Sequence, residues 1–348
     1  MIGATPPERT KETAMKAWTI AALAAATGAG AWFARRHRQV QLAHPSLRHR
    51  LNYRVLPVNN PLVLAYYQHI VHKPTPVLEG VSVEHLQIPT AAPDDDHLVD
   101  LYVYTPQAGV TSRGALLWVH GGGLIMGSAA LDHTHSSQLA LDLGITVASV
   151  DYRLAPHHPY PAALNDCFAA LAWLADEATK GRFDPARLVI LGASAGGGLA
   201  AATAQRAHDE GITLALQGLI YPMLESGTGH TPTPGKGEFS WTPSANRYGW
   251  RSYLGRDVTD RDGRPYAVPA EREDLSGLAP AWIGVGELDL FYDEDLRYAA
   301  RLRAAGVPVD LVTVPGMYHA ADGLRPEAPA MLEFRAAMLS ALRGALAS

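Results

Sequence analysis

One serine in the chain has neighbours that suit a nucleophile. It lies in the segment GASAG at 192–196, directly after an apolar run and directly before an Ala-rich stretch with helical spacing. A serine on such a strand-to-helix turn is held in a strained backbone conformation that only small flanking residues permit. The turn also places the hydroxyl at a helix N-terminus, where backbone N–H groups and the helix dipole favour negative charge. The pattern predicts Ser194 as a nucleophile; the alternative is a Gly-rich helix start that only packs closely or holds a phosphate.

A second Gly-rich segment, HGGG at 120–123, follows another apolar run. Attack of a serine on an ester produces a tetrahedral oxyanion, which requires preorganised hydrogen-bond donors. Backbone N–H groups supply such donors, and glycine permits their close approach to a substrate. The predicted oxyanion donors are the N–H groups of Gly121, Gly122 and Ala195. His120 is predicted to support this loop by hydrogen bonding, together with Asp151, and not to act as the base.

A serine nucleophile also needs a general base, which in turn needs an orienting carboxylate. For a nucleophile on a strand-to-helix turn of this type, the chain order is Ser, then Asp or Glu, then His. Of the three histidines downstream of Ser194, His208 falls in the helix after the nucleophile and His230 in an irregular region. His319 follows the last predicted strand, so it is the predicted base.

The orienting acid is expected on a loop at the same edge of the sheet. Asp289 occupies such a loop in the segment GELDLFYDED at 286–295, after an apolar run. Two neighbours compete with it: Glu287 is still close to the strand, and Asp293 is better placed to cap the next helix. Asp289 is therefore the predicted acid.

Metal, cofactor and nucleic-acid sites have little support in the sequence. His133 and His135, or His157 and His158, could suggest metal ligands, but no Cys or carboxylate cluster completes the three or four ligands that zinc needs. No dinucleotide-binding or P-loop pattern occurs. We predict no metal and no cofactor. The formal charge of −5 comes from mixed residues, which gives no indication of nucleic-acid binding. A single cysteine excludes an internal disulfide.

The elements that must position these residues alternate between strands and helices past about residue 77. Such alternation predicts an α/β fold with a mostly parallel, eight-stranded central sheet flanked by helices. The predicted strands are 81–89, 97–106, 115–120, 145–152, 187–192, 215–222, 279–287 and 307–316, the first two forming an antiparallel hairpin at one edge. The predicted helices are 162–178, 195–208, 293–305 and 329–346.

Two regions, the chain before about residue 77 and residues 225–274, do not fit the alternation of strands and helices. They define the predicted domain organisation. Residues 77–224 and 275–348 form the catalytic domain, and residues 225–274, rich in Gly, Pro and Trp, interrupt it between two strands. Ligands tend to bind at the carboxyl ends of sheet strands, where this insertion lies. We therefore predict that residues 41–76 and 225–274 form two parts of one helical cap over the site.

Residues 1–40 form a predicted N-terminal extension. Its segment 17–34 is uncharged, and Arg35, Arg36 and Arg38 follow it. A bilayer span needs roughly 20 mainly apolar residues, so this Ala-rich segment is borderline. A surface helix or irregular extension, a membrane anchor or interfacial helix, and a cleaved signal all remain open. For an anchor, the flanking arginines would leave the catalytic body on the cytoplasmic side, so the expected localisation is cytoplasmic, with or without membrane association.

Taken together, these motifs resemble the hormone-sensitive-lipase-like esterases, the bacterial family IV within the α/β-hydrolase superfamily. The resemblance covers roughly residues 98–346 and rests on HGGG at 120–123, DYRLAPHHPYPAALND at 151–166, GASAGG at 192–197, GELDLFYDED at 286–295, and His319. It implies an α/β-hydrolase fold with a two-part cap, a small-molecule ester substrate with a short to medium acyl chain, and no cofactor. It also implies Ser194, Asp289 and His319 as a catalytic triad, and it leaves a homodimer open.

The sequence departs from this family at several positions. His157 stands where the family usually has Glu, Ala193 where it has Asp or Thr, and Ala320-Ala321 where it has Gly-Phe. About 40 residues precede the usual start of the cap. Three alternatives remain: a receptor on this fold, which would lack the catalytic histidine that is present here at His319; a hydrolase of amides or lactones with the same triad; and a lipase tethered through residues 17–34.

Overall fold

A single eight-stranded sheet organises the computed structural model, which describes residues 29–54, 57–69, 73–258 and 261–347. The strands follow the order β1-β2-β4-β3-β5-β6-β7-β8 across the sheet. Their bounds are β1 (Val81–Pro89), β2 (Leu98–Pro106), β3 (Ala115–Val119), β4 (Thr146–Asp151), β5 (Leu188–Ala193), β6 (Leu216–Ile220), β7 (Ala281–Gly286) and β8 (Val309–Val314). All eight predicted strands are present; β1 has the predicted ends, and the ends of the others shift by at most two residues.

Helices flank the sheet on both sides. In the described part of the chain they are α1 (29–42), α2 (Pro61–His69), α3 (His133–Leu143), α4 (Ala162–Thr179), α5 (Ala195–Asp209), α6 (Pro243–Leu254), α7 (Tyr292–Ala304), α8 (Ala321–Leu324) and α9 (Pro329–Ala347). The four helices predicted from periodicity correspond to α4, α5, α7 and α9. The predicted α/β class is therefore confirmed.

Strand direction explains why distant sequence motifs meet. β2 is antiparallel to both β1 and β4, while all the other neighbouring pairs are parallel. The carboxyl ends of β3, β5, β7 and β8 consequently lie along one edge of the sheet. The segments HGGG, GASAG and GELDLFYDED and the loop bearing His319 each follow one of these strands, so all four emerge at that edge.

Alternate residues of the central strands bury against opposite helix layers. In β3, Leu117 and Val119 join the core beneath α4, α5 and α7, whereas Leu116 and Trp118 join the core beneath α3 and α9. All five residues of β3 are buried, as expected for a strand covered on both faces. The two cores hold the sheet edge rigid, which fixes the loops that leave it.

Helix α3 has no counterpart among the predicted helices. Its sequence, HTHSSQLALDL, begins with six polar residues and lacks a regular apolar stripe. Ser136 and Ser137 are nonetheless fully buried, and the Ser137 hydroxyl donates to the His133 carbonyl at 2.7 Å. Small hydroxyl side chains thus occupy positions where periodicity would require large apolar residues.

The two predicted cap segments contain irregular chain and short helices. The segment 225–274 carries α6, and the segment 41–76 carries α2 and two short 3₁₀ helices. Helix α1 crosses the predicted boundary at residue 40; it buries Val40, and Ala43 directly after its end is buried as well. Of the segment 17–34, residues 17–28 lie outside the described residues. Among the described helices, none combines the length and apolar character that crossing a bilayer requires.

Candidate active site

Ser194 sits at the sharp turn between β5 and α5. Its backbone has φ 58° and ψ −121°, a strained conformation for a residue with a side chain. Two backbone hydrogen bonds hold it there: the Ser194 N–H donates to the Ile220 carbonyl at 2.8 Å, and its carbonyl accepts from the Met223 N–H at 3.0 Å. The strain predicted from the motif is therefore present, and β6 and the chain after it maintain it.

The two glycines of the motif are required by close backbone packing. A Cβ on Gly192 would lie 2.2 Å from the Gly196 carbonyl oxygen, and one on Gly196 would lie 2.1 Å from the Val119 carbonyl oxygen. Contacts this short leave no room for any side chain. The G-x-S-x-G spacing thus follows from the packing of the turn against the end of β3.

A continuous hydrogen-bonded chain links the three residues that sequence order selects. His319 Nε2 lies 2.9 Å from Ser194 Oγ, and His319 Nδ1 lies 2.8 Å from Asp289 Oδ2. The other carboxylate oxygen, Asp289 Oδ1, accepts from the Phe291 N–H at 3.0 Å. All three side chains are buried. This geometry permits proton transfer from the serine to the imidazole, with the carboxylate fixing the ring.

The competing residues lie elsewhere. Glu287 is exposed, and Asp293 lies in the first turn of α7, where it pairs with Lys236 at 2.6 Å instead of capping the helix. The alternative histidines are also remote from the serine: His230 contacts the Gly227 carbonyl, and His208 packs beside Gly277. Of the candidate acids and bases, only Asp289 and His319 join Ser194.

Two aromatic rings that the motifs did not indicate fix the position of the His319 ring. The Tyr221 ring meets it edge-on at 4.7 Å between centroids, and the Phe291 ring does so at 5.2 Å. The Tyr221 hydroxyl donates to Asp322 Oδ1 at 2.9 Å, and burial raises the pKa of that phenol well above its usual range. Tyr221 follows β6 directly and Phe291 follows β7 after four residues, so their position at the edge where the motifs emerge is the signal that could have identified them.

The predicted oxyanion donors lie near Ser194. The Cα of Gly121 lies so near Ser194 that an added Cβ would be 3.4 Å from the serine Cβ. Within the described residues, no carbonyl accepts a hydrogen bond from the N–H groups of Gly121, Gly122 or Ala195. Ala195 is the first residue of α5, where N–H groups point out of the helix end. All three N–H groups therefore lack a carbonyl partner among the described residues, and Gly121 and Gly122 line the same cavity as Ser194.

His120 and Asp151 support separate parts of this loop. His120 Nδ1 lies 2.8 Å from the Gly121 carbonyl, and the ring stacks on Tyr152 with 4.1 Å between centroids. The Tyr152 hydroxyl donates to the His120 carbonyl at 2.9 Å. Asp151 lies 4.0 Å from His120 Nε2 and instead accepts from the Ala129 N–H at 2.7 Å. Tyr152 is thus a further loop support that the motif analysis did not select.

Replacing Gly122 by Ala is expected to lower kcat for ester hydrolysis by about 100-fold to about 1,000-fold, the usual effect of losing one oxyanion donor. The residue has φ 129°, and a Cβ there would lie 1.9 Å from the Met126 carbonyl oxygen, so the loop must shift. Gly109→Ala is the matched control, since its φ of 92° is equally unfavourable but nothing lies within 4 Å of the added Cβ. Equal kcat losses in both variants would contradict the oxyanion role.

Ser194 and His319 line a cavity of about 680 Å³. Both predicted cap segments contribute to its walls: Leu51, Asn52, Arg54 and Tyr67 from the first, and residues 238–242 from the second. Its apolar lining includes Trp118, Met126, Leu131, Phe239, Trp241 and Leu324. A small apolar molecule with one polar, reactive group fits such a lining.

Trp241 connects the second cap segment directly to the oxyanion loop. Its indole ring packs so closely on Gly123 that a Cβ on this glycine would lie 2.0 Å from the ring. The Trp241 Nε1–H donates to Asn246 Oδ1 at 3.0 Å, which anchors the ring to α6. The size of the cavity beside the oxyanion loop therefore depends on this tryptophan.

A buried carboxyl on α7 holds the chain where the second cap segment begins. Glu294 accepts hydrogen bonds from the Leu224 N–H at 2.7 Å, the Glu225 N–H at 3.2 Å, and the Thr228 hydroxyl. Burial raises the pKa of Glu294 to about 8, outweighing these bonds, which favour the charged form. Burial also raises the pKa of Asp295 well above its usual range. Neither carboxyl was among the predicted site residues.

Glu294→Gln is expected to flatten the pH dependence of stability. The carboxyl titrates near 4.5 when unfolded and near 8 when folded, so the folded chain binds the extra proton and stability falls as pH rises between these values. The wild type should lose up to about 1.4 kcal/mol per pH unit relative to the variant across this range. Glutamine can retain the three hydrogen bonds, with its NH₂ group donating to Thr228.

Thermal or urea unfolding from about pH 5 to about pH 9 measures this difference. The exposed Glu287→Gln provides the control, because its free energy of unfolding should follow the wild-type profile. A Glu294→Gln profile parallel to the wild type would contradict the assignment of this carboxyl as the titrating group.

One motif departure has a visible structural consequence. Ala320, directly after His319, has φ 58° and ψ 29°, a left-handed conformation that glycine adopts without strain. The family usually has Gly at this position. The alanine therefore stores backbone strain beside His319.

The segment DYRLAPHHPYPAALND, which has no catalytic chemistry of its own, forms a buried ion pair. Arg153 donates to both carboxylate oxygens of the fully buried Asp166, through Nε at 2.9 Å and Nη2 at 2.8 Å. Arg153 also reaches Asp95 at 2.6 Å, which places one of the three hairpin aspartates in this network. His157 is exposed. The segment thus joins β4 to α4 by a structural interaction.

The histidine pairs considered as metal ligands make other contacts. His133 Nδ1 lies 2.6 Å from the Tyr104 hydroxyl, and His135 packs against Trp118 with 4.4 Å between ring centroids. In the part of the chain that the structure describes, no group of three or more His, Cys, Asp or Glu side chains is arranged to hold a metal ion.

Known proteins share both the sequence and this architecture. Residues 116–322 match the family model described as alpha/beta hydrolase fold. The carboxylesterase NlhH of Mycobacterium tuberculosis is 36% identical over 259 residues, which are 72% of this chain and 80% of that protein. The arylesterase of Saccharolobus solfataricus is 35% identical over 228 residues, 65% of this chain and 74% of that protein. The solved structure of a bacterial heroin esterase superposes with a TM-score of 0.75 at 33% identity, covering 89% of this chain and 99% of that one.

Proposed function

This chain belongs to the α/β-hydrolase-fold family, in its hormone-sensitive-lipase-like branch, and we propose that it is a carboxylesterase acting through Ser194, His319 and Asp289. The observation that carries the proposal is the unbroken chain of contacts from Ser194 Oγ to His319 Nε2 at 2.9 Å and from His319 Nδ1 to Asp289 at 2.8 Å. It supplies a nucleophile, a general base and an orienting carboxylate in the roles that acyl transfer requires.

In the first half of the reaction, Ser194 Oγ attacks the ester carbonyl while His319 Nε2 accepts the hydroxyl proton. The tetrahedral oxyanion is stabilised by the N–H groups of Gly121, Gly122 and Ala195, which have no competing carbonyl acceptor among the described residues. The imidazolium then protonates the leaving alcohol, which departs and leaves an acyl-enzyme on Ser194.

In the second half, water takes the place of the alcohol. His319 accepts a proton from the water as its oxygen attacks the acyl carbonyl, and the same N–H donors stabilise the second oxyanion. Collapse releases the carboxylic acid and returns the proton to Ser194. Asp289 accepts the hydrogen bond from His319 Nδ1 and holds the imidazole in the tautomer with hydrogen on that nitrogen.

We further propose that short to medium acyl chains are preferred. The cavity of about 680 Å³ is bounded beside the oxyanion loop by Trp241, whose packing on Gly123 leaves no free space there. A long acyl chain would have to displace this ring, which α6 holds through Asn246.

A series of p-nitrophenyl esters from acetate to palmitate tests both parts of the proposal. We expect a burst of p-nitrophenolate from acyl-enzyme formation, a maximum of kcat/KM between butyrate and octanoate, and a fall at palmitate. Trp241→Leu should raise the ratio of octanoate to butyrate hydrolysis, whereas the matched Trp173→Leu, on α4 beside Arg182, should not. No hydrolysis of any ester would overturn the function, and a palmitate maximum would overturn only the chain-length preference.

A further inference from the structure

Positive charge is concentrated near the start of the chain. No Asp or Glu occurs between Glu12 and Glu79, a stretch that contains eight of the 29 Lys and Arg residues. The rest of the chain contains the other 21 of these cations together with all 34 Asp and Glu residues. The overall charge of −5 is therefore the sum of a cationic segment near the start of the chain and a strongly acidic remainder.

Most of the described cations of this segment lie on the surface without a counter-ion. Arg35, Arg38, Arg50 and Arg54 are exposed, and no ion pair joins any of them to another described residue. Arg36 is different: it is buried, and it donates to the Glu238 and Arg54 carbonyls. One arginine thus fixes α1 to the second cap segment, while the others direct uncompensated charge to solvent.

Large apolar side chains are exposed in the same segment. Leu62 on α2 is 82% exposed, and Trp32 and Phe33 on α1 are 52% and 55% exposed. Leu42 and Tyr66 are exposed as well. Folding normally buries side chains of this size, and a concentration of them on one part of a surface indicates an interaction site.

These elements lie around the cavity that contains Ser194, and Tyr67 of α2 lines that cavity. Phe33 of α1 stacks on Tyr53 with 5.6 Å between centroids, which joins α1 to the 3₁₀ helix Arg50–Tyr53. Leu51 and Arg54 line the same cavity as Ser194. Gln68 of α2 donates to the Ile125 carbonyl at 2.6 Å, next to the oxyanion loop. We call the exposed side chains of α1, of this 3₁₀ helix with the following Arg54, and of α2 the N-terminal face.

We propose that the N-terminal face binds the surface of a bilayer that contains anionic phospholipids. Arginines attract the lipid phosphates, and Trp, Phe and Leu side chains insert at the boundary between headgroups and acyl chains. A nucleic acid would account for the arginines but not for the exposure of Leu62 or Trp32. An apolar protein partner would not account for the absence of acidic residues. Only a lipid surface uses both features.

This orientation has a consequence for access to the active site. Because Leu51 and Arg54 belong both to the N-terminal face and to the cavity wall, docking places the cavity opening at the headgroup layer. An apolar ester dissolved in the bilayer could then reach Ser194 without crossing the surrounding water.

Co-sedimentation of the full chain with vesicles tests the charge requirement. We expect binding to vesicles of phosphatidylcholine with phosphatidylglycerol, and little to phosphatidylcholine alone. Arg35→Glu/Arg38→Glu should weaken binding by about 30-fold or more, since each cation near an anionic surface contributes roughly a fivefold factor. Arg303→Glu/Arg343→Glu, which makes the same charge change on exposed residues of α7 and α9, should bind like the wild type. Equal binding by all three proteins would overturn the proposal.

A second pair of variants tests the apolar requirement. Leu62→Asn should weaken binding to the anionic vesicles, whereas Leu332→Asn, at a 54% exposed leucine on α9, should not. Circular dichroism confirms that each variant is folded. The proposal would also be overturned if Leu62→Asn bound the vesicles as tightly as the wild type, or if a single-stranded oligonucleotide bound the protein as tightly as the vesicles do. Either result would indicate a general polyanion site.

Vesicle binding does not rest on ester hydrolysis, so the two proposals fail separately. Ser194→Ala should sediment with anionic vesicles like the wild type although it is inactive. Wild-type protein that hydrolyses p-nitrophenyl butyrate but does not sediment would overturn the lipid surface alone.

Discussion

Ser194→Ala is expected to lower kcat for p-nitrophenyl butyrate hydrolysis by about a million-fold, the size of effect seen when a triad nucleophile is removed. The substitution removes only the hydroxyl group. The proposed proton transfer begins along the contact between its oxygen and His319 Nε2 at 2.9 Å. The backbone strain at φ 58° is held by bonds to Ile220 and Met223, which alanine retains. The fold should therefore be unchanged.

Steady-state kinetics with a thermal melt of each protein measures this effect. Ser149→Ala is the matched control, because it also removes a buried hydroxyl, one with no hydrogen-bond partner among the described residues. It should leave kcat close to that of the wild type. Activity of Ser194→Ala within tenfold of the wild type would rule out Ser194 as the nucleophile. A tenfold loss corresponds to a change of only roughly 1.4 kcal/mol in the activation free energy.

Asp289→Asn is expected to lower kcat by about 10,000-fold, through the tautomer of His319. Asp289 Oδ1 accepts from the Phe291 N–H at 3.0 Å, so the carboxamide oxygen of asparagine should keep that position. Its NH₂ group then faces His319 Nδ1, which must become the acceptor. The hydrogen moves to Nε2, and the imidazole can no longer accept the proton of Ser194.

The same kinetic assay separates this effect from a general loss of acidic charge. Asp293→Asn removes a nearby carboxylate that pairs with Lys236 and does not touch His319, so its kcat should match the wild type. If Asp293→Asn were the more damaging change, the acid would be assigned to the wrong residue. If neither variant lowered kcat, the His319 ring would be held in position by Tyr221 and Phe291 alone.

The positions of the strands along the chain and the identity of the three proposed catalytic residues could be predicted from the sequence because both depend on local patterns. A buried strand followed by a small-residue turn and a helix has few alternatives, so Ser194 could be recognised from GASAG and its neighbours. His319 followed from chain order alone. Asp289 needed a choice among three carboxyls, and the contact to His319 Nδ1 is consistent with that choice.

Contacts between segments distant in sequence could not be predicted in this way. Helix α3 was missed because two buried serines replace the apolar residues that periodicity requires. Glu294 was passed over because an acidic residue on a helix is usually solvated, whereas here it accepts bonds from a segment some 70 positions earlier in the chain. Its burial and raised pKa exist only once that segment has packed against α7.

The sequence by itself determined the α/β alternation, the sheet edge at which the motifs emerge, and Ser194, His319 and Asp289 as the residues to test. These follow from period-two strands, from turns that only glycine permits, and from the rule that parallel strands end together. The tertiary structure decided which side chains enclose the cavity, since Trp241 and Leu51 come from segments without a periodic pattern. It also decided where the unpaired arginines and exposed aromatic residues of the N-terminal face lie, because exposure depends on what packs against a residue and not on its sequence neighbours.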